Sequence, residues 1–484
     1  MSEQTMFYQD YFGRTTYGML ERMAQRYGAK PMLTWKREGV IHSVTYGEFF
    51  RDVRRLAAHF ERLGLRGKFV VIGMRNTYEQ VTALFAAAAM GAVAAPMSFD
   101  LPLDDLRDLV GRVSPGALVC DEMDLELLPE LDVPDSCVLL TCLDGQDSIA
   151  ALLAEEENLY QQAAGIAPDD PALLLATSGS TSRSKLVLLS HYGIAPKGEF
   201  QATEKVLHVL PMHHIAATCT LVLYMAQGSE ICLSSVGRGT ADLAWFQPRD
   251  IFAVPSFISM LVRQSRLGRV DLSCLRSISG GGAPQILETA EYLNGLGIFS
   301  MSLYGATETS GMVDYSTPEH YRFGSVGLVG PWNEVRISDQ GEILVRGKNV
   351  MLRYLDDPEA TAQALQDGWY HTGDIGYLDE DGFLFVTGRI KNVIILSNGE
   401  NVSPEAVESK LGQCPAIAEV IVRGEEERIV AEIWCGEKDG EELRAQAQDF
   451  ISRYNRTVPS YQAVRRVRFR ETPFEKTPTG KIRR

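Results

Sequence analysis

Short runs of apolar residues alternate with segments of helical periodicity through most of the chain. Residues 68–74 (KFVVIGM), 116–122 (GALVCDE) and 137–143 (CVLLTCL) are apolar runs of strand length, and residues 77–91 (TYEQVTALFAAAAMG) continue as a helix after the first. Strands that are apolar along their whole length are typical of parallel sheets covered by helices on both faces. The pattern therefore predicts an α/β fold of mostly parallel sheets layered with helices.

The pattern changes toward the C-terminus. Residues 331–385 are strand-like and rich in turns, which predicts a strand-rich subdomain. After Arg389 the sequence has strands and helices of its own, and the short, charged join TGRIKN favours a hinge over a flexible linker. We expect a large N-terminal domain over residues 1–388, a hinge over 389–392 and a small, mobile α+β domain over 393–484.

Composition excludes several classes of protein. An apolar fraction of 45% and a charged fraction of 23% are typical of a folded globular chain and not of a disordered one. The net charge of −16 argues against a nucleic-acid partner, because sequence-independent binding to phosphates needs a basic surface. The eight cysteines contain no CxxC pair, so we expect free thiols in a reducing compartment.

Neither a membrane span nor an export signal is expected. The uncharged stretch 81–97 is short for a span and contains Gly91 and Pro96, so a buried helix followed by a strand is the better interpretation. The first residues carry acidic side chains and have no apolar core of a signal peptide. We therefore expect a cytoplasmic protein without a transmembrane segment.

The strongest local signal is a polar loop after an apolar run, at residues 173–185 (LLLATSGSTSRSK). Its backbone N–H groups, hydroxyls and two cations are the groups that a polyphosphate requires. The loop does not match the nucleotide-hydrolase pattern GxxxxGK(S/T), because Ser184 stands at the second glycine and Leu186 at the hydroxyl position. Taken alone, the loop is equally compatible with a solvated polar turn.

Further motifs follow this loop in order. They are residues 279–284 (SGGGAP), 304–309 (YGATET), 370–374 (YHTGD), 388–392 (GRIKN), 396–408 (LSNGENVSPEAVE) and 476–484 (KTPTGKIRR). The set resembles the adenylate-forming (AMP-binding) superfamily, and most of all its acyl-CoA synthetases, over nearly the whole chain. The resemblance implies an enzyme of acyl or fatty-acid metabolism that converts a carboxylic acid and ATP to acyl-AMP and then transfers the acyl group to a thiol.

The residues that the resemblance implies for ATP binding are Thr177, Ser178, Gly179, Ser180, Thr181, Lys185, Gly281, Gly282, Ala283, Tyr304, Asp374 and Arg389. The loop up to Lys185 would cover the phosphates; Ser182 and Ser184 replace its usual Gly and Pro, so ATP use is expected to be slower at worst. The small residues after position 280 would admit adenine, because larger side chains would block the base. Tyr304 would stack on that base, and Asp374 and Arg389 would hold the ribose.

Catalytic roles are implied for another set of residues. Thr307 and Glu308 offer hard oxygen ligands for Mg²⁺ beside a triphosphate, with Glu308 as the metal ligand. Lys481 would reach the substrate carboxylate and neutralise the negative charge that develops during adenylation. Together with Asp374 and Arg389 these residues favour an enzyme over a non-catalytic nucleotide-binding module.

The remaining implied residues concern the acid pocket and the hinge. His214 takes the place of the histidine in a family PxxH motif that shapes the acid pocket and the thiol tunnel. His213 and His214 lack a third ligand nearby in the sequence, so no metal is expected there. Lys391 occupies the hinge position, about which the small domain would turn between adenylation and thiol transfer.

The expected substrate is a small carboxylic acid without an amine. Residues 215–219 (IAATC), 256–260 (SFISM) and 310–313 (SGMV) are expected to line an apolar pocket, and no acidic residue follows the histidines to pair with a substrate ammonium. We expect coenzyme A as the thiol acceptor; the alternative is the phosphopantetheine of an acyl carrier protein. The basic excess within residues 465–484 is compatible with either acceptor, and also with a solvated strand face.

Overall fold

The structure, a computed structural model, describes residues 8–484 apart from 144, 146–147, 156–158, 178–183, 199–203, 283–286, 397–400, 426–427, 437–439, 477–481 and 483–484. The α-helices within the described residues are α1 (Thr16–Tyr27), α2 (Tyr46–Arg62), α3 (Tyr78–Ala89), α4 (Leu103–Val113), α5 (Ile149–Ala154), α6 (His191–Ile194), α7 (Ile215–Gln227), α8 (Gly239–Phe246), α9 (Pro255–Arg266), α10 (Leu287–Gly295), α11 (Pro358–Ala364), α12 (Pro404–Leu411) and α13 (Glu441–Thr457).

The strands within the same residues are β1 (Pro31–Arg37), β2 (Val40–Thr45), β3 (Phe69–Gly73), β4 (Val93–Met97), β5 (Ala117–Cys120), β6 (Val138–Thr141), β7 (Pro171–Ala176), β8 (Leu186–Ser190), β9 (Lys205–His208), β10 (Glu230–Leu233), β11 (Asp250–Ala253), β12 (Ser277–Gly281), β13 (Phe299–Leu303), β14 (Gly305–Ala306), β15 (Gly311–Met312), β16 (Asp314–Tyr315), β17 (Gly327–Val329), β18 (Glu334–Ile337), β19 (Glu342–Arg346), β20 (Arg353–Tyr354), β21 (Leu365–Gln366), β22 (Trp369–Leu378), β23 (Phe383–Arg389), β24 (Ile394–Ile395), β25 (Asn401–Val402), β26 (Glu419–Glu425), β27 (Arg428–Trp434) and β28 (Val464–Arg470).

Two large sheets build the N-terminal part of the described chain. Their strand orders are β13-β12-β11-β9-β10-β1-β2 and β20-β8-β7-β4-β3-β5-β6. The pairs β3–β4, β3–β5, β5–β6, β11–β12 and β12–β13 are parallel, whereas β1–β2 and β7–β8 at or near the sheet edges are antiparallel. The prediction of mostly parallel sheets layered with helices is confirmed.

Helix α3 shows how the local sequence determines this packing. Thr77 accepts a hydrogen bond from the backbone N–H of Gln80, and the Gln80 side chain bonds back to the Thr77 N–H, which satisfies N–H groups at the helix start. Every residue of α3 is buried, as expected for a helix that is apolar on all sides. The uncharged stretch 81–97 thus forms most of α3 and strand β4. No helix of the described residues is both long and apolar enough to span a membrane.

The other two parts of the predicted fold are also confirmed. Strands β16-β17-β23-β22-β19-β18 form an antiparallel sheet, onto which β21 pairs through β22. Near the C-terminus, β26, β27 and β28 form a small sheet that packs with α12 and α13 around a separate apolar core. The mobility of this last unit and the domain boundaries remain predictions.

The topology brings the predicted nucleotide residues to one edge. Strands β12 and β13 are parallel neighbours, and Gly281 at the end of β12 pairs with Leu303, the residue before Tyr304. Ligands of α/β sheets bind outside the carboxyl ends of parallel strands, and this is where both residues lie.

Candidate active site

Three of the predicted nucleotide residues form a hydrogen-bonded cluster. Tyr304 Oη donates to Asp374 Oδ2 at 2.8 Å, and Arg389 Nε lies 2.8 Å from Asp374 Oδ1. The Asp374 side chain is 5% exposed, whereas that of Arg389 is 49% exposed. Burial, with the Asp374 carboxylate as the next cause, raises the pKa of Tyr304, so its phenol stays protonated and donates. The sequence did not predict a direct bond between the base and ribose residues.

The hairpin of β22 and β23 determines the position of this carboxylate. Asp374 on β22 pairs directly with Arg389 on β23. The Asp374 N–H donates to Thr372 Oγ1 at 3.0 Å, and the same hydroxyl donates to the carbonyl of Ile343 at 2.7 Å. Gly373 has a positive φ of 69°, a conformation that glycine adopts without steric cost. The motif YHTGD therefore lies within strand β22, and its hydrogen bonds hold the Asp374 carboxylate next to Arg389.

A second cluster surrounds Glu308. Thr307 and Glu308 begin a 3-10 helix, Thr307–Thr309, and Tyr354 Oη donates to Glu308 Oε1 at 2.8 Å. Lys185 Nζ lies 4.5 Å from the centre of the Tyr354 ring. Burial and the Glu308 carboxylate raise the pKa of Tyr354, which keeps its phenol a donor. The cluster places a carboxylate at the hydroxyl of Tyr354 and an ammonium over its ring.

Lys185 also closes the base of the predicted phosphate loop. The Thr177 N–H donates to the carbonyl of Lys185 at 2.9 Å, and Arg112 donates to the carbonyl of Ser184 at 2.8 Å. Ser178, Gly179, Ser180 and Thr181, together with Ser182, lie outside the described residues. The two ends of the loop thus meet next to Glu308 through Lys185 and Tyr354.

The glycines at the end of β12 stand at positions that would not accept a side chain without strain. A Cβ at Gly281 would lie 3.0 Å from Phe252 Cζ and 3.4 Å from the carbonyl oxygen of Leu303. Gly282 has a φ of +83°, which favours glycine. Ala283 lies outside the described residues. A side chain at Gly281 would therefore clash with Phe252, and the role of this turn in admitting a flat base stays a prediction.

The histidine pair lies at the start of α7. His214 is the N-cap residue of this helix, and its ring centre lies 4.3 Å from that of His213. Burial lowers the pKa of His213 to about 4, so its ring is neutral at neutral pH. Groups of three or more His, Cys, Asp or Glu with metal-site geometry do not occur among the described residues. The structure thus brings the two rings together at the start of α7, and the role of His214 in the acid pocket stays a prediction.

The predicted hinge is a 3-10 helix, Ile390–Asn392, directly after β23. Burial and the neighbouring Arg389 lower the pKa of Lys391. Across the hinge, Ser403 Oγ caps the start of α12 and donates to the carbonyl of Thr387 at 2.7 Å. Lys481 lies outside the described residues.

The comparisons with known proteins agree with this arrangement. The sequence matches the family described as AMP-binding enzyme over residues 20–355 and the AMP-binding enzyme C-terminal domain over residues 391–484. The chain belongs to the AMP-binding enzyme family. Within it, the chain is a member of the AMP-forming acid–CoA ligases, as its relatives show.

Two of these relatives are 30% identical to this chain. One is an indoleacetate–CoA ligase of Aromatoleum aromaticum, aligned over 416 residues, 79% of this chain and 80% of the relative. The other is a CoA ligase of Rhodococcus jostii for a methyl-dioxo-octahydroindenyl propanoyl group, covering 97% of both chains. Among solved structures, an anthranilate CoA ligase in complex with anthranoyl-AMP has a TM-score of 0.86 at 20% identity, over 98% of this chain and 96% of that one.

Three of the five described basic residues in the segment 465–484 form ion pairs. Arg468 makes two hydrogen bonds to Glu425, at 2.7 and 2.6 Å, and Arg470 lies 2.9 Å from Glu432. Lys476 Nζ lies 2.6 Å from Glu419 Oε1. Acidic residues of β26 and β27 therefore balance much of the positive charge, which favours the interpretation of β28 as an ordinary strand face.

Two residues of the site were missed by the sequence analysis. Tyr354 contacts Glu308 from 46 positions along the chain, and Asp314 accepts the backbone N–H of Tyr304 at 2.7 Å. Asp314 is fully buried. Neither residue belongs to a recognisable motif, and only the folded chain brings them to the site.

Proposed function

We propose that the protein activates a small carboxylic acid with ATP to form acyl-AMP and pyrophosphate, and then transfers the acyl group to coenzyme A. The observation that carries this proposal is the pair of clusters described above. The Tyr304 cluster suits the nucleoside end of ATP, and the Glu308 cluster suits its phosphates. Both lie at the same edge of the sheet because β13 leads directly into Tyr304 and then into Thr307–Thr309.

At the nucleoside end, Asp374 would accept the ribose hydroxyls. Its carboxylate already accepts from Tyr304 and pairs with Arg389, and both partners orient it. Tyr304 would stack on adenine while Gly281 and Gly282 keep the opposite side free of side chains. Ala283 would extend this small-residue turn.

At the phosphate end, the chemistry of the donors fits Mg²⁺. Glu308 uses Oε1 to accept from Tyr354, and no other hydrogen bond to its side chain comes from the described residues. A carboxylate with one oxygen oriented by a phenol is a hard ligand suited to Mg²⁺, with Thr307 beside it. When bound, the ion would offset charge on the phosphates. Lys185 and the loop residues 177–181 would hold the phosphate oxygens through an ammonium and backbone N–H groups.

In the first step the substrate carboxylate attacks the α-phosphorus, the bond to the bridging oxygen of pyrophosphate breaks, and acyl-AMP forms. Negative charge accumulates around this phosphorus, and Lys481 would offset it. In the second step a thiolate attacks the acyl carbonyl carbon and AMP leaves. Between the two steps the small domain would turn about Lys391. Lys481 would then leave the site, and an entrance for the thiol, lined in part by His214, would take its place.

The acid is proposed to be a ring-bearing or short aliphatic one. Support comes from the apolar segments after His214 and from the relatives, two of which are named for an indole acid and a fused-ring acid. A free ammonium on the substrate is disfavoured, because burial of a charge without a partner is costly. An acidic carrier protein would need free basic side chains to dock on. Because Arg468 and Arg470 already pair with carboxylates of their own domain, coenzyme A is favoured as the acceptor.

The deciding experiment measures pyrophosphate release by the purified protein with ATP, Mg²⁺ and a panel of aryl, cyclic and aliphatic acids. Release that depends on one class of acid supports the proposal, and its absence with every acid contradicts it. Presenting the purified acyl-AMP to either coenzyme A or a phosphopantetheinylated carrier protein then identifies the acceptor.

A cytoplasmic location is supported by the cysteines, all eight of which are free thiols.

A further inference from the structure

A narrow cavity lies between helix α9 and strands β12 and β13. Its walls include Ile258 and Ser259 of α9, Gly280 of β12, and Ser300, Met301 and Ser302 of β13. Gly280 immediately precedes Gly281, and Ser302 lies two residues before Tyr304. The cavity therefore begins next to the residues that we assign to the nucleotide, within reach of an acyl group that would be joined to the α-phosphate there.

The register of the strands makes this cavity rich in hydroxyl groups. Gly280 pairs with Ser302, and Ile278 pairs with Ser300. Since side chains alternate along a strand, Ser300 and Ser302 lie on one face, the face of Gly280. A Cβ at Gly280 would approach Ile258 Cδ1 to 3.1 Å, so a side chain at this position would narrow the cavity further.

Ser259 carries a buried hydroxyl for which the described residues provide no hydrogen-bond partner. Buried hydroxyls are nearly always paired, because an unpaired one loses its bonds to water without replacement. Among the described residues that line the cavity none is charged, so an ionised group placed there would find no charged partner among them.

We infer that the substrate acid carries a neutral hydrogen-bonding substituent, a hydroxyl or carbonyl, at the end remote from its carboxylate, and that Ser259 binds it. This inference rests on the proposed function. The Ser259 hydroxyl both donates and accepts, so it suits either substituent. A purely hydrocarbon tail would leave Ser259 and the wall of Ser300 and Ser302 facing apolar atoms.

The test compares matched pairs of acids, such as 4-hydroxycinnamic with cinnamic acid and 4-hydroxyphenylacetic with phenylacetic acid, by pyrophosphate release. We expect kcat/KM of the parent protein to favour the hydroxylated member of at least one pair by roughly tenfold or more. Ser259→Ala should reduce this preference to about threefold or less by slowing the hydroxylated acid alone. Ser265→Ala, six residues later on α9 and outside the cavity wall, should retain the full preference.

The outcomes separate this inference from the proposed function. The inference alone would be overturned if the protein adenylated both members of every pair equally well, or if Ser259→Ala kept the parental preference. The Ser259 hydroxyl would then be assigned to a bound water. Failure to adenylate every acid would overturn both. Ser259→Cys, which retains the side-chain volume with a weaker donor, replaces the alanine variant if thermal unfolding shows that alanine impairs folding.

Discussion

At the scale of single residues, Tyr354 explains how Glu308 is held. Its phenol donates to one carboxylate oxygen and its ring lies beneath the Lys185 ammonium, so one side chain orients two charged groups. Such an orienting residue does not have to touch the substrate. Its effect on activity is expected to be smaller than that of the carboxylate it positions.

Glu308→Gln should lower the rate of acyl-AMP formation by about 10² or more, because a neutral amide is a poor ligand for Mg²⁺ beside a triphosphate. Tyr354→Phe should lower it by roughly tenfold, the value of one lost hydrogen bond to a charged group. Pyrophosphate release at varied Mg²⁺ concentration measures both effects.

The matched control is Tyr377→Phe, since Tyr377 is 49% exposed and its ring stacks on Phe385 without need of the hydroxyl. This variant should retain the parental rate. Parental activity and an ordinary Mg²⁺ dependence in Glu308→Gln would refute the assignment of Glu308 to the metal.

At the scale of elements, strand β16 holds the end of β13 in place. Asp314 accepts the N–H of Tyr304 at 2.7 Å, and the N–H of Val313 donates to the carbonyl of Tyr304 at 2.9 Å. Both backbone groups of Tyr304 are thus bonded by consecutive residues. Burial raises the pKa of Asp314 well above its ordinary value, so the native state favours its neutral form.

Asp314→Ala should cost about 2 to 3 kcal/mol of unfolding free energy and raise KM for ATP more than it lowers kcat, because Tyr304 loses its backbone partner. Asp314→Asn retains an acceptor and should keep the parental KM.

The Asp314 carboxyl binds a proton on folding, so the unfolding free energy of the parent falls as the pH rises above the unfolded pKa. Asp314→Asn should lack that loss. Urea unfolding at several pH values and ATP kinetics measure these effects. An unchanged KM in Asp314→Ala would show that Asp314 does not position Tyr304.

The elements that the sequence predicted are those whose signal is local. Strands β3 and β5 are continuous apolar runs, and α3 has both an N-cap pair and a helical length, so neighbouring residues sufficed to identify them. Tyr354 and Asp314 were missed because their partners are distant in sequence. No periodicity connects Tyr354 with Glu308; the contact arises only when β20 pairs with β8 beside the 3-10 helix.

At the scale of the whole molecule, buried histidines predict how stability depends on pH. Burial lowers the pKa values of His191 and His208 to about 4, and that of His213 likewise. Between pH 6.5 and 4 these three histidines therefore bind more protons in the unfolded chain than in the native state, and their contribution to the unfolding free energy falls as the pH falls. For His191 and His208, which are almost fully buried, the loss is on the order of 3 kcal/mol each.

Urea unfolding at pH values from 7 to 4 measures this loss. His208→Gln should unfold more easily than the parent at pH 7 yet show a shallower decline on acidification, since one titrating group is gone. His320→Gln, at an exposed position, should follow the parental curve. Parallel curves for the parent and His208→Gln would show that His208 does not carry the acid sensitivity.

The two-step reaction leads to a prediction about the movement of the small domain. Lys481 would offset charge only in the adenylating transition state. The bond between the α- and β-phosphates breaks in that step, whereas thiol transfer breaks the bond between the acyl carbon and AMP. Lys481→Ala should therefore lower acyl-AMP formation by about 10² to 10³ and leave transfer from purified acyl-AMP to the thiol close to the parental rate. Single-turnover measurements of each half-reaction separate the two effects.

Lys476→Ala is the appropriate control, because Lys476 lies in the same basic segment but is paired with Glu419 at 2.6 Å. Removal of the Lys476 charge should affect neither half-reaction strongly, because its partner is a carboxylate of the small domain and not a phosphate of the substrate. If Lys481→Ala slowed both half-reactions equally, the small domain would have to present the same face to both steps. Rotation about Lys391 would then be unnecessary, and a single closed arrangement would account for the whole reaction.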